Sequence, residues 1–450
     1  IFIKRNTFIG NRATKEGGCL HLTNIKNAII TAIEFISNGV SDNSVSDLPV
    51  CKGGAIFAMN LGQISIKFTN FTSNEVKHTK YTFNQDRSYG GAAYFENVKI
   101  ISIFSSCFAN NKAAQGGHGG SLYIAFTNTL FIENCTLMNS SSRDYGGAGY
   151  LYNIQNITSI NCKYKYNFAI KQSGAALFLN KYSYVTNANV TFSHNYGKMN
   201  GAMYLHGSAG NILNILCVFE NNSVRKGNGG AIMIMVTAQT TLVNKYCRFE
   251  KNKAPNGRGG ACFFWNSRLL NLKCNFTENL SKSGGGAIYL NVYQRDLENI
   301  TNIDCTFEHN LALGKTSTYG GAICIKSQKI CTNLYNVFSK FINNSIPSVA
   351  IYKGHKYENR GGAIYVEKIK VFYNIYSMYI NNMVMDGKGG AIFCNEIYDL
   401  SNIHTRFVHN AVIKKYQYAG AILVYKIILH FSNKFCNFTK NQAHYAGAIY

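Results

Sequence analysis

Two short motifs alternate along the whole of this 450-residue chain, and their alternation limits what it can fold into more than any other feature. One is Gly-Gly-Ala followed by apolar residues, as in Gly53-Gly54-Ala55-Ile56-Phe57 and Gly285-Gly286-Ala287-Ile288-Tyr289. The other is Phe-x-x-Asn, as in Phe8 to Asn11, Phe71 to Asn74, Phe276 to Asn279 and Phe438 to Asn441. Each recurs fifteen times once degenerate copies are admitted: Tyr164 to Asn167 and Tyr379 to Asn382 use Tyr, and Leu137 to Ser140 keeps neither signature residue. Ser173-Gly174 and Ala446-Gly447 keep one Gly, read as the second of the pair. The second Gly returns on average about every 31 residues from Gly18 to Gly447, with no shift of composition between. A fixed period of this size marks a solenoid or another repeat array. One continuous domain over 1–450 is therefore expected, in place of the two or three that length alone would suggest.

Within each unit the pattern reads as strands. After Gly-Gly, alternate positions are apolar: Ile56/Ala58, Leu122/Ile124, Met203/Leu205, Ile232/Ile234, Ile288/Leu290 and Ile364/Val366. A second β-rich run follows, such as Ile100-Ile101-Ser102-Ile103, and the Phe-x-x-Asn strand closes the unit. No helical periodicity is sustained. Three short strands per period suit one coil of a parallel β-helix, whereas a propeller blade needs four longer strands. Gly-Gly permits a sharp corner with φ > 0. Phe above Phe and Asn above Asn give internal stacks of rings and amides. The fold class expected is all-β, a single-stranded parallel β-helix of about fifteen coils.

The alternating tetrapeptides resemble the passenger regions of polymorphic outer membrane proteins, the Pmp adhesins of chlamydiae, and similar repeats in protist surface proteins. The resemblance runs through all 450 residues. It implies a right-handed β-helix of the pectin-lyase-like kind, displayed at a cell surface or outside the cell and used in adhesion. The chain opens half a coil before its first Gly-Gly and stops inside a strand at Tyr450, so a fragment of a longer protein is expected.

Function is sought first in the loops. The run from ladder Asn to second Gly lengthens at 39–52, 75–89 and 345–360, and less so at 311–319 and 411–418; insertions in a solenoid gather on one face, often the binding face. The chain carries 45 Lys and Arg against 21 Asp and Glu, a formal charge of +24. More than half of that excess falls in this same stretch: Arg12, Lys52, Lys77, Lys112, Arg143, Lys171, Lys198, Arg225, Lys253, Lys282, Lys315, Lys353, Lys388 and Lys414. Stacking would align these bases into an edge that attracts linear polyanions by steering and multivalency. Acidic glycans, a cell-surface or matrix polyanion, or a surface protein suit such an edge; nucleic acid does not, since no reading motif accompanies the charge.

Opposite the inward parity lies a second row, Phe57, Tyr94, Tyr123, Tyr150, Tyr204, Phe263, Tyr289, Tyr365 and Phe393. It would form an external aromatic stripe for sugars or proteins unless the parity is reversed or insertions cover it. The fourteen Cys include no CxxC and no zinc spacing. Cys135, Cys162, Cys217, Cys247, Cys274, Cys305 and Cys436 sit two residues before the Phe position and read as a buried thiol row, while disulfides remain open between Cys324 and Cys331 or through Cys51. Sequons at Asn70, Asn275 and Asn437 precede the inward Phe and so face out as glycosylation candidates, which would make the chain a glycoprotein. Asn279 is a ladder residue and is not expected to be modified. No run of 18 apolar residues offers a spanning segment.

Pectin-lyase-like helices are often polysaccharide hydrolases or lyases, so catalysis must be weighed. Hydrolysis wants two carboxylates close together. Here the acids are scattered, and Gly117-His118-Gly119 and Asn302-Ile303-Asp304 resemble two polygalacturonase motifs in the wrong order and about six coils apart. His194, His309 and His409 each precede a ladder Asn, in coils that are not adjacent. No metal or cofactor motif appears. The expectation is a non-catalytic extracellular adhesin. A structural subunit of a filament or surface layer, through lateral or end-to-end self-association, is the second reading, and a polysaccharide-degrading enzyme the third.

Overall fold

A computed structural model describes the chain except for residues 43–49, 79–87, 115, 208–209, 294–298, 315–316, 331, 348–350, 353–354, 357 and 415; for 237–239, 351–352 and 355–356 it describes the backbone alone. The described residues form strands and turns without helix, and no helix is long and apolar enough to cross a membrane. Two compact units divide the chain, Ile1–Ile212 and Leu213–Tyr450. In each, strands stack parallel and in register, so the all-β solenoid class holds.

In the first unit the long strands Ile56–Lys67, Ala93–Phe104, Leu122–Glu133, Gly149–Ile160 and Leu177–Ala188 pair in sequence. Each joins the two β-rich runs that the sequence separates, through a bend at a residue with φ near +55 to +60°, such as Asn60 and Asn97. The Phe strands Asn70–Thr72 and Cys107–Ala109 follow, with Phe71 opposite Phe108. Beyond the ladder Asn lies a further strand that the sequence reading took for loop: Glu75–His78, Lys112–Ala113, Ser141–Ser142, Phe168–Ala169 and Tyr196–Gly197. Two or three residues cannot display an alternation, which is why it passed unread.

The second unit repeats the plan with Ile232–Lys245, Cys262–Leu272, Ile364–Ile375 and Ile392–Ile403 as long strands. Three of its coils differ. In two adjacent ones the long strand is broken into Ile288–Val292 and Asn299–Ile303, and into Ile323–Ser327 and Thr332–Val337; in a third it is broken into Ile422–Val424 and Ile427–Lys434.

The Phe rings stack inside each unit. Phe35, Phe71 and Phe108 have centroids 4.8 and 4.5 Å apart, and Phe219, Phe249, Phe276, Phe307 and Phe341 follow one another at 4.6–4.8 Å with planes within 3°. Each fully buried ring contributes roughly 1.5–3 kcal/mol from burial, and each pair about 0.5–1.5 more. Beside them the ladder amides form continuous chains: Asn279 donates both its backbone N–H and its Nδ2 to Asn310 Oδ1, and Asn310 Nδ2 donates to Phe276 O at 2.8 Å.

A second amide row, five residues before each ring, runs through the second unit. Asn214, Asn244, Asn271, Asn302, Asn336, Asn374, Asn402 and Asn433 are linked Nδ2 to Oδ1 at 2.7–3.0 Å. In the first unit the same place holds Ile30, Ile66, Ile103 and Ile132, and then Ser159 and Asn187, all buried. Tyr replaces Phe in the stack where its hydroxyl has a partner in this row: Tyr379 donates to Asn374 Oδ1 at 2.7 Å, and Tyr164 meets Ser159 at 3.3 Å.

Of the Gly pair, the first turns left-handed, with φ from +57 to +73°. A Cβ on the second would meet the backbone of the next coil: at Gly54 it falls 2.0 Å from Gly91 O. Gly174 has φ +71° and its carbonyl accepts from Gly147 N as Gly119 O does from Gly91 N, so it fills the first place, not the second.

Candidate binding surfaces

The basic residues do not fall on one row. Val76, Ala113, Ser142, Ala169 and Gly197 are register partners, so the residues after them, Lys77, Ala114, Arg143, Ile170 and Lys198, share a row in which two of five are apolar. Lys112 stands two residues earlier and Lys171 one later. Several bases are already engaged: Arg12 donates to Ser37 O at 2.8 Å, Lys112 pairs with Glu75 at 3.1 Å, Lys388 with Glu358 at 3.0 Å, and Lys414 with the buried Asp386 at 3.1 Å. Burial works against ionised Glu358, yet Lys388 and Arg360 hold its carboxyl below the ordinary value. Arg225, Lys253 and Lys282 are exposed. Lys315 and Lys353 lie outside the described residues, as do the tips of all five insertions.

Three of the bases do converge. Lys112, Arg143 and Lys171, with Ala113, Ser141 and Ile170, line a cavity of about 240 Å³ in the first unit that contains no carboxylate in its lining.

The aromatic row is not an external stripe. Phe57, Tyr94, Tyr204, Phe263, Tyr289, Tyr365 and Phe393 are buried, and Tyr123 and Tyr150 are half-buried. The parity was read correctly, since Ile56 and Ala58 fill the coil interior. The outward face is roofed instead. The short segment before each Gly-Gly, as in Cys51–Lys52, Ser88–Tyr89 and Gly117–His118, turns back over the strand. Tyr89 packs on Tyr123 at 4.8 Å, His118 on Tyr150 at 4.9 Å, Tyr145 on Phe178 at 4.6 Å and Tyr319 on Tyr365 at 4.6 Å. Cations complete the roof: Lys52 Nζ lies 4.9 Å from the Tyr94 centroid, Lys388 Nζ 5.5 Å from Tyr418, and the guanidiniums of Arg258 and Arg360 5.1 and 5.0 Å from Tyr289 and Phe393. Each such contact is worth about 0.5–2 kcal/mol. Two features expected separately, a basic edge and an aromatic stripe, are thus partly one structure, with bases covering rings. Burial pushes the phenols of Tyr94, Tyr289 and Tyr365 up.

An exposed aromatic row exists elsewhere. At the corner closing the long strand, the second unit stacks Phe338, Tyr376, His404 and Phe435 at 4.7–5.2 Å with planes within 11°. Phe338 and Tyr376 are 53% and 49% exposed. This corner is left-handed, φ about +50°; three coils of the first unit fill it with Asn134, Asn161 and Asn189, which tolerate that conformation, and another with Phe68. An aromatic residue there costs roughly 1–2 kcal/mol.

Two stretches, 216–234 and 273–291, match the Chlamydia polymorphic membrane protein repeat. The chain carries Pmp-like repeats. No curated protein and no solved structure matches it. Each matched stretch of the Pmp-like repeat runs from the left-handed corner, at Leu216 or Lys273, through the ring and the ladder Asn to the strand after Gly-Gly. It therefore contains the ring, the ladder Asn and the Gly-Gly contact, while the second amide row lies outside it.

The Cys of the Pmp-like repeat follow the left-handed corner and act as donors. Cys247 Sγ donates to Lys245 O at 3.3 Å and Asn214 O at 3.4 Å, and Cys274 and Cys305 repeat the pair at 3.3–3.4 Å. Ser339, Ser377 and Thr405 occupy the same place with the same two acceptors. The slot therefore wants a small donor, and thiol and hydroxyl both serve. Hydrogen bonding along the thiol row, then burial, raises Cys135, Cys247 and Cys305, while burial pushes Cys51 up to about 11. The thirteen described Cys form no disulfide; Cys331, and with it the Cys324 pairing, lies outside the described residues. The same hydrogen bonding lowers Cys162 and Cys274, the acceptors of the row. Yet all five of these row sulfurs are buried, and a buried structural Cys is inert because reagents cannot reach it. Brief treatment of the native protein with iodoacetamide at pH 8 is expected to leave Cys135, Cys162, Cys247, Cys274 and Cys305 unmodified, and unfolding to expose all five, read by peptide mass spectrometry.

The remaining named residues have structural places. Asn70, Asn275 and Asn437 are exposed, and the ladder residue Asn279 is buried. Asn302 sits within the buried amide row, Asp304 on an exposed corner, and His118 among aromatic rings. His194, His309 and His409 occupy left-handed corners before the ladder Asn.

One concavity had no counterpart in the sequence reading. In the second unit Asn291, Tyr293, Lys326, Gln328, Glu367 and Lys368 line a notch of about 430 Å³ at the two interrupted strands. Its signal was available in spacing: Gly286 to Phe307 is 21 residues and Gly321 to Phe341 is 20, against 17 for Gly54 to Phe71, Gly91 to Phe108 and Gly362 to Tyr379.

Proposed function

We propose that this Pmp-like repeat protein is displayed at a cell surface and acts there as a non-catalytic, adhesin-like binder of acidic glycans. The repeat supports the location, since the family it matches is one of membrane proteins. The observation that carries the ligand class is the cavity lined by Lys112, Arg143 and Lys171. Three cations within one shallow cavity, of which Lys112 is shared with Glu75 at 3.1 Å, give a polyanion a local anchor, and neighbouring bases such as Lys77 and Lys198 add further contacts to a polymer long enough to reach them. Exposed charges act over about 8 Å at physiological salt, so the attraction weakens as ionic strength rises.

Retention on an immobilised acidic polysaccharide such as heparin tests this. Reversing Lys112, Arg143 and Lys171 to Glu is expected to lower the eluting salt concentration by about 0.1 M or more, consistent with removal of screened contacts. Reversing Lys67, Lys163 and Lys181, exposed elsewhere on the same unit, removes the same formal charge and should shift elution much less. Equal shifts for the two triple variants would reduce the attraction to net charge and end the proposal.

A further inference from the structure

The notch of the second unit has a chemistry different from that of the basic cavity. It is made by the interruption of two adjacent long strands between uninterrupted neighbours. Ile288, Ile323 and Ile364 are register partners, and so are Asn299, Asn333 and Val371. From the first set to the second the chain takes 11 residues and 10 residues in the interrupted coils but 7 in Ile364–Ile375. The strands stop at Val292 and Ser327 and resume at Asn299 and Thr332, and the recess lies beside these gaps.

The floor of the recess is one row of register partners on successive strands, Asn291, Lys326 and Glu367, which parallel pairing sets about 4.8 Å apart. Asn291 is 9% exposed, and its side-chain amide lines the recess, where it can both donate and accept. Lys326 is held in place from behind: its Nζ lies 3.8 Å from the Tyr319 centroid and 5.8 Å from that of Tyr365. Glu367 accepts from Tyr365 OH at 3.2 Å, which fixes the carboxylate and leaves acceptor capacity. Lys368 donates from Nζ to Gln328 O at 3.3 Å and brings a second cation to the rim. One wall is Tyr293, 41% exposed, with its ring 5.2 Å from that of Trp265, the chain's single tryptophan.

An aromatic wall, a lining amide, a fixed carboxylate and two ammonium groups match a hydroxyl-rich pyranose that carries one negative charge. The ring offers its face to the C–H side of the sugar. Asn291 and Glu367 bond hydroxyls, and Lys326 with Lys368 takes the carboxylate. The volume lies within the usual range of small-ligand clefts, about 300–1,000 Å³. Glu367 works against densely sulfated polymers, for which a site without carboxylates is better suited. We propose that this notch binds a single uronate-type sugar unit. The inference rests on the acidic-glycan reading above and adds to it a site that recognises the shape of a sugar as well as its charge.

Titration of the whole chain with glucuronate and with glucose, followed by calorimetry or ligand-observed NMR, tests it. Glucuronate is expected to bind in the range of about 1 mM, and glucose at least tenfold more weakly. Tyr293→Ala, at an exposed position that should not disturb folding, should weaken glucuronate at least tenfold, and Lys326→Met should abolish the preference for glucuronate over glucose. Absence of glucuronate binding, or equal binding by wild type and Tyr293→Ala, overturns the proposal, and equal affinity for both sugars overturns its acidic element. The Glu triple variant of Lys112, Arg143 and Lys171 should bind glucuronate as wild type does. If that holds while polymer retention proves indifferent to the triple variant, the polyanion reading fails and the notch stands; the reverse pattern removes the notch alone.

Discussion

Replacing Asn310 by Ala is expected to destabilise the second unit by about 3–5 kcal/mol, read as a shift in the urea unfolding midpoint. The substitution removes the acceptor for the backbone N–H of Asn279 at 3.1 Å and its Nδ2 at 3.0 Å, and the donor to Phe276 O at 2.8 Å. Asn279 and Asn310 are fully buried, so water cannot replace these partners, and each stranded group costs roughly 1–3 kcal/mol. The chain itself indicates how the loss can be repaired. In the one coil where Ser140 stands in the ladder, the third residue of the Gly-Gly motif is Ser121 instead of Ala. Its hydroxyl meets Ser140 Oγ at 2.7 Å and accepts from Asn111 Nδ2 at 3.3 Å. Ala287 is the corresponding residue of the Asn310 coil. Asn310→Ser should therefore cost about 2–3 kcal/mol alone and distinctly less beside Ala287→Ser, a coupling of about 1 kcal/mol in a double-mutant cycle. Strict additivity would refute the repair.

Gly321→Ala is the second large effect. A Cβ on Gly321 would fall 2.0 Å from Gly362 O, in the corner of the next coil, and 2.7 Å from Ser345 N, in the strand Ser345–Ile346 of its own coil, both backbone atoms that cannot rotate away. Separating two coils to make room breaks the register along the whole stack, and a loss of about 3 kcal/mol or failure to fold is expected. Gly320→Ala should be milder although its φ is +62°. Its Cβ would meet Ile323 O of its own turn, and Ala419 and Ala446 occupy that place with φ +60 and +52°. The expected cost is about 1–2 kcal/mol. A larger loss at Gly320 than at Gly321 would contradict the view that the contact between coils is the stricter demand.

The parts of the fold that could be read from the chain are those in which each residue faces its own copy in the next coil. Phe above Phe and Asn above Asn repeat at every period, so periodicity alone identifies them. The buried amide row from Asn214 to Asn433 has the same property and lay open in the sequence at a fixed five residues before each ring. It does not recur along the whole chain, because the first unit has Ile at five of those places, from Ile3 to Ile132. The roof over Phe57, Tyr94 and their relatives could not be read in the same way. It depends on a turn that folds a segment back over its own strand, and nothing in an alternating pattern distinguishes an outward ring left in water from one covered by Tyr89 or Arg258. The basic edge suffered for a related reason: stacking aligns residues only when the spacing between strands is constant, and the stretch beyond the ladder Asn is where coil length varies most. Length variation was sought only there, so the surplus residues of the notched coils went unnoticed.

The amide rows have a consequence for how such a chain can change over time. Every ladder residue gives to one neighbour and receives from the other, so a whole coil can be copied or lost and the flanking coils still find a partner of the right kind. An exchange that begins and ends at the same point of the period is silent to hydrogen bonding, whereas one that begins elsewhere interrupts the ring stack, the amide ladder and the Gly-Gly contact at once. The Ile and Asn rows restrict this traffic further. A coil carrying Ile103 moved beside Asn302 would leave buried amides without partners on both sides, so duplication is easy among coils of one dialect and costly between the two. Surface residues such as Lys171 or Tyr293 answer to no neighbour in this way, and recombination can renew them at every event without touching the grammar beneath.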